Sequence, residues 1–240
     1  IYSSDLFVFC KNCGSIIYKK NEKHYVNSIK PSSYHNKTEI DPLELFPVYV
    51  NTPFTKIETN SPYLLIREHA ISRLEKYRHS YNFSEDTLYL AMTYMDIIFK
   101  KFEEKTVKGK EFDLFIINCL LIAGKLYEKD IREMSSAVEK FWELNNCLIS
   151  EKEIQLNEIE CLKLLNYKLD HHSVYDLLKF LMYNGIVYQN DSYSVYNIIY
   201  NYSLKIFKDV MNSNIALIYH PLPICFSIII LARKRFKLHT

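Results

Sequence analysis

Phe112-Asp113-Leu114-Phe115-Ile116-Ile117-Asn118-Cys119-Leu120-Leu121-Ile122-Ala123 is the stretch that decides the fold, and only Asp113 and Asn118 interrupt its apolar run. A helix that is apolar nearly all round has no face to give to water, so it belongs inside a bundle. It is too short to be a membrane span, which takes about 20 apolar residues. The segment therefore predicts a buried central rod, and a rod predicts other helices around it. Gly124 and Lys125 follow directly. A cation in the last turn of that helix interacts favourably with the helix dipole, by ~0.5 kcal/mol.

The flanking segments supply the surrounding helices. Upstream, Ile66, Ala70, Ile71, Leu74, Tyr77 and Tyr81 recur mostly at three- and four-residue steps, the mark of an amphipathic helix. Ser84 is a good N-cap for the next one, with Glu85 and Asp86 in the first turn and a core stripe of Leu88, Ala91, Met92, Met95 and Phe99. Downstream, a helix is expected over residues 131–144, with Met134, Val138, Phe141 and Trp142 inward. Ser150-Glu151-Lys152-Glu153 is a capping box, opening a helix with Ile154, Ile159, Leu162 and Leu165 on its inner face.

After Asp170-His171-His172-Ser173, three more helices are expected near 174–183, 194–212 and 222–235. The order amphipathic, amphipathic, apolar then recurs, the sign of a duplicated helical unit. The expected fold class is all-α, a five-helix bundle around a buried central helix over 61–172, then a partial second repeat over 173–240. Residues 1–60 read as an arm. They collect turn-formers at Lys30-Pro31, Asp41-Pro42 and Thr52-Pro53, and Leu6-Phe7-Val8-Phe9 is expected as a short strand.

Composition agrees and removes several function classes. Of 240 residues, 48% are apolar and only 4 are Gly, which favours helices joined by short connections. The formal charge of +2 gives no footprint for nucleic acid, which is not an expected partner. The apolar stretch 224–232 is too short for a bilayer, so no membrane association is expected. Cys119 and Cys161 fall on apolar helical segments and read as buried free thiols. That usage points to a reducing, intracellular compartment, nucleus or cytoplasm. The chain begins at Ile1 rather than Met and is expected to be a fragment.

Two motifs invite chemistry. Cys10 and Cys13 form a C-x-x-C beside Gly14, a spacing that can give two thiolates to zinc. A tetrahedral site needs two more ligands, and His24 and His35 are too far apart to complete the usual pattern. Free thiols and no cofactor are therefore expected. His171 and His172 precede a helix and stand near no recognisable nucleophile, Gly-rich phosphate loop or paired carboxylates. No catalytic residue is assigned, and an enzyme is not expected. The basic end, Arg233, Lys234, Arg235 and Lys237, reads as a solvated helix terminus.

Taken together, these segments resemble the cyclin family. Asp86-Thr87-Leu88-Tyr89-Leu90-Ala91-Met92-Thr93-Tyr94-Met95-Asp96 resembles the second helix of the cyclin box. Leu120-Leu121-Ile122-Ala123-Gly124-Lys125-Leu126-Tyr127-Glu128 looks like the end of its buried third helix. Glu158, Leu162, Lys163 and Leu165, followed by Tyr167-Lys168-Leu169, are similar to its fifth helix and exit. Ile218-Tyr219-His220-Pro221-Leu222-Pro223-Ile224 is similar to the lead-in to the third helix of a second repeat. The spacing also resembles that of the Cables group of cyclin-like adaptors.

The resemblance implies a regulatory subunit that binds, and activates, a cyclin-dependent protein kinase. Such subunits pack against the mobile helix of the kinase, so that its catalytic Lys–Glu ion pair closes. The family's central contact lysine and glutamate fall on Lys125 and Glu158, with Leu126, Glu128, Leu162 and Tyr167 on the same contact surface. Tyr127 stands where an acid is common. A substrate-docking motif of some cyclins maps to Ile66-Arg67-Glu68-His69-Ala70, where only Ile66 and Arg67 suit it, and Arg73 stands where its tryptophan is expected. Two alternatives stay open: a transcription factor IIB-like protein binding promoter DNA or the transcription machinery, and a non-activating cyclin-box scaffold.

Overall fold

The structure, a computed structural model, describes residues 2–3, 7–9, 16–18, 56–58, 61–102, 109–128, 149–183 and 193–238. It opens on β1 (Tyr2–Ser3), β2 (Phe7–Phe9) and β3 (Ile16–Tyr18), an antiparallel sheet in the order β1-β2-β3 with Phe9 opposite both Tyr2 and Ile16. Strand β2 falls on the expected one. From there on the described chain is helical: α1 (Tyr63–Tyr81), α2 (Glu85–Lys100), α3 (Lys110–Tyr127), α4 (Glu151–Leu164), α5 (Val174–Tyr183), α6 (Tyr193–Asn212), α7 (Ile215–Ile218) and α8 (Pro221–Arg235). The helix expected over 131–144 lies outside the described residues, as do Cys10, Cys13, His24 and His35. The chain divides into two compact units, residues 55–175 with 211–219, and residues 1–54 with 176–210 and 220–240.

The first unit is built on α3. Phe112 and every residue from Leu114 to Gly124 are buried, against α1, α2 and α4. Each fully buried Leu, Ile or Phe contributes roughly 1.5–3 kcal/mol, so this rod is the main apolar stabiliser of the unit. Its two polar interruptions both have partners. Asp113 pairs with Arg73. Asn118 donates from Nδ2 to the Ile154 carbonyl at 3.1 Å and to Asn157 Oδ1 at 2.8 Å, tying α3 to α4.

The neighbouring helices start and stop where their sequences say. The Ser84 side chain caps α2 by accepting from the Thr87 amide at 3.3 Å, and the expected stripe of Leu88, Ala91, Met92, Met95 and Phe99 is buried. Helix α1 ends on Asn82 in the left-handed region at φ 56°, which Asn tolerates better than most residues. At α4 the capping box is complete: Ser150 Oγ accepts from the Glu153 amide, and Glu153 Oε2 accepts from the Ser150 amide at 2.8 Å. The Lys110 ammonium, together with the Ser150 cap, holds the Glu153 carboxyl down at about 2.

Two expectations need correcting. On α4 the inward line is Ile154, Asn157, Cys161 and Leu165, whereas Ile159 is 47% exposed and Leu162 half-buried. Buried Asn157 fixes the inward line, and Ile159, two residues on, is turned roughly 200° around the helix by its 3.6-residue period. On α1 the stripe is Tyr63, Arg67, Ala70, Ile71, Leu74, Tyr77 and Tyr81, so Arg67 rather than Ile66 occupies the core position.

The second unit contains most of α5 and α6, and α8. Pro221 occupies the first position of α8, where its missing N–H costs no hydrogen bond, and His220 Nδ1 accepts from the Leu222 amide at 3.2 Å. Ile224, Cys225, Ile228, Ile229 and Ala232 form its buried stripe, and Arg233, read as part of a solvated helix terminus, is buried beside them instead. Phe236 packs edge-on against Tyr202 of α6 with centroids 5.4 Å apart. The three helices expected beyond residue 173 are present, and the single-turn α7 was not foreseen. Among the described residues no helix is long and apolar enough to cross a membrane.

Candidate partner-binding site

The end of α3 and the length of α4 present a polar pair among exposed apolar side chains. Lys125 sits in the last turn of α3, and Glu158 is in the middle of α4. The Lys125 ammonium donates to Glu158 Oε1, with the lysine side chain 52% exposed and the glutamate 22%. These two residues, far apart in sequence, are thus brought to one rim. Leu126 and Tyr127 follow immediately and are exposed.

Leu162 lies one helical turn beyond Glu158 and is half-buried. Its carbonyl accepts from the Tyr167 amide at 2.8 Å, closing the end of α4. That closure puts Asn166 and Tyr167 at φ 53° and 55°, the left-handed region, where a bulky side chain is strained. Tyr167 is also 65% exposed.

Glu128 has a different position from the rest. Its amide donates to the Gly124 carbonyl at 2.8 Å, completing α3. Its Oε1 accepts from the Ser84 amide at 2.8 Å, Ser84 Oγ at 2.9 Å and Thr87 Oγ1 at 2.5 Å. The carboxylate therefore caps the start of α2, where the helix dipole favours negative charge. Nothing in the local sequence of Glu128 signals this, because its partners lie more than forty residues upstream.

Sequence reasoning also missed the buried polar cluster around Arg67. Arg67 has 0% exposure and Asp96 6%. Arg67 Nε donates to Asp96 Oδ1 at 3.0 Å and Nη2 to Oδ2 at 3.2 Å, the two-pronged geometry that suits a guanidinium. The Tyr63 hydroxyl donates to the same Oδ1 at 2.6 Å. Arg67 Nη1 donates to the carbonyls of Met211 and Ser213, both at 2.9 Å. Burial opposes the charged form of Arg67, but Asp96 outweighs it and the pKa rises. For Tyr63, burial first and Asp96 second push the hydroxyl well up.

Arg67 consequently has no surface to offer a docking peptide. Arg73, at the position expected for a docking tryptophan, is engaged with Asp113. Among the described residues there is no group of three or more His, Cys, Asp or Glu arranged to hold a metal. The described cysteines Cys119, Cys161 and Cys225 are buried and form no disulfide among the described residues, as read for the first two. What the rim holds is an ammonium and a carboxylate paired with each other, with the exposed apolar side chain of Leu126 next in the chain.

Residues 52–170 match the family described as Cyclin, N-terminal domain. No curated protein matches the chain.

Proposed function

Because this chain belongs to the cyclin family, we propose that it is a regulatory subunit that binds a cyclin-dependent protein kinase and raises its activity. The observation that supports this is the meeting of Lys125 and Glu158 at one exposed rim, beside Leu126, Leu162 and Tyr167. The N-terminus of a kinase's mobile helix offers free N–H groups that a carboxylate can accept from, and the chain leading into it offers carbonyls to an ammonium. Leu126 and Tyr167 supply apolar area for the same contact. Packing there holds the kinase helix in the position where its own Lys–Glu pair closes, and the chain does no chemistry itself.

The test is affinity purification of the intact chain, followed by assay of the kinase that accompanies it. Recovery of a cyclin-dependent kinase whose activity rises with added chain supports the proposal. Lys125→Ala and Glu158→Ala should each lower the affinity by about 2–4 kcal/mol if they are central contacts. Thermal stability should barely move, since exposed ion pairs contribute only ~0.2–1 kcal/mol. A kinase retained by both variants within about threefold of the parent affinity, less than 1 kcal/mol, would remove the assignment.

A further inference from the structure

We propose that Glu128 is a positioning residue, holding Lys125, Leu126 and Tyr127 in place by latching the end of α3 to the start of α2. The proposal rests on kinase binding at that rim. Gly124 is buried at the end of the central rod, and its carbonyl takes the Glu128 amide at 2.8 Å. Thr87 is completely buried, and Ser84 is fixed as the N-cap of α2. Both hydroxyls, and the Ser84 amide, converge on one oxygen of Glu128. The three exposed residues between Gly124 and Glu128 are thus tied at one end to the buried rod and at the other to the capped start of α2.

A direct role for Glu128 as a kinase contact fits less well. Its Oε1 already accepts three hydrogen bonds, and turning that oxygen to a partner would strip acceptors from Ser84 and from the buried Thr87. Leaving a buried donor unsatisfied is costly. The cation in the last turn and the carboxylate just beyond it therefore divide the work. Lys125 meets the partner, and Glu128 fixes where Lys125 stands.

The experiment uses the intact chain with the kinase that co-purifies with it, and amide hydrogen exchange of the free chain. The variants are Glu128→Ala, Ser84→Ala with Thr87→Val, all three together, and Ser84→Asp. If the latch operates, Glu128→Ala and the hydroxyl-removing pair each weaken binding by about five- to tenfold, and combining them adds nothing. Ser84→Asp retains an N-cap acceptor but sets a carboxylate against Glu128, and should weaken binding to the same degree. Amides 125–128 should exchange faster in every variant. Loss of affinity in Glu128→Ala alone, with the Ser84 and Thr87 variants unchanged, would instead make Glu128 a direct contact and overturn the proposal. Should the parent chain bind no kinase, the function proposed above fails, and the exchange rates alone decide the latch. Unchanged exchange at 125–128 refutes it, and faster exchange sustains it.

Discussion

Arg67 shows how far one side chain can constrain a reading. Its spacing from Tyr63, Ala70, Ile71 and Leu74 puts it on the apolar stripe of α1. Asp96 stands likewise between Met92, Met95 and Phe99 on α2. A cation on one core stripe and an acid on the next are the available signal, and apolar Ile66, one position before Arg67, masks it by competing for the same stripe. Replacing Arg67 with Met leaves the Asp96 carboxylate buried without its counter-charge. Such losses typically run to about 3–5 kcal/mol, so Arg67→Met should show a large drop in denaturant midpoint. Arg67→Met with Asp96→Leu should recover part of it. Tyr167 gives the opposite expectation. Gly at this left-handed position should raise stability by about 1 kcal/mol while weakening kinase binding, a split visible by measuring melting and affinity on the same sample.

At the scale of elements, the sequence was most legible where a local chemical rule acts alone. The Ser84 cap and the Ser150 capping box follow from residues within a turn of one another, and the buried rod of α3 from one continuous apolar run. Ser150→Ala should cost about 1 kcal/mol and appear as faster amide exchange in the first turn of α4. Legibility failed where a distant partner decides the outcome. Ile159 looked inward because it is apolar, yet polar Asn157 took the core position since Asn118 of α3 was there to meet it. The family resemblance puts Glu128 on the partner-contact surface, whereas three donors at the start of α2 hold its carboxylate. The Lys125–Glu158 meeting came from a family resemblance rather than from local pattern, and helix periodicity alone does not place two helices at one rim.

At the scale of the whole molecule, buried tyrosines set a limit at high pH. Burial is the first cause that pushes the hydroxyls of Tyr63, Tyr81, Tyr89 and Tyr94 above their ordinary value of 10.0. Above that value the unfolded chain releases protons that the folded chain keeps, so the unfolded state gains stability. The contribution is intact below pH 10 and is lost as the pH climbs beyond it. Unfolding followed at about pH 9 and about pH 11 should show a lower midpoint at the higher pH.

The two carbonyls that complete the Arg67 guanidinium lie 144 and 146 residues further along the chain. A ribosome delivers α1 to α4 long before it delivers those acceptors. The newborn domain can gather its greasy rod early, yet one internal cation must wait with two N–H groups unanswered until residue 213 has emerged. A transcript cut short before that point would yield a loosely closed product, a natural target for chaperones and proteases.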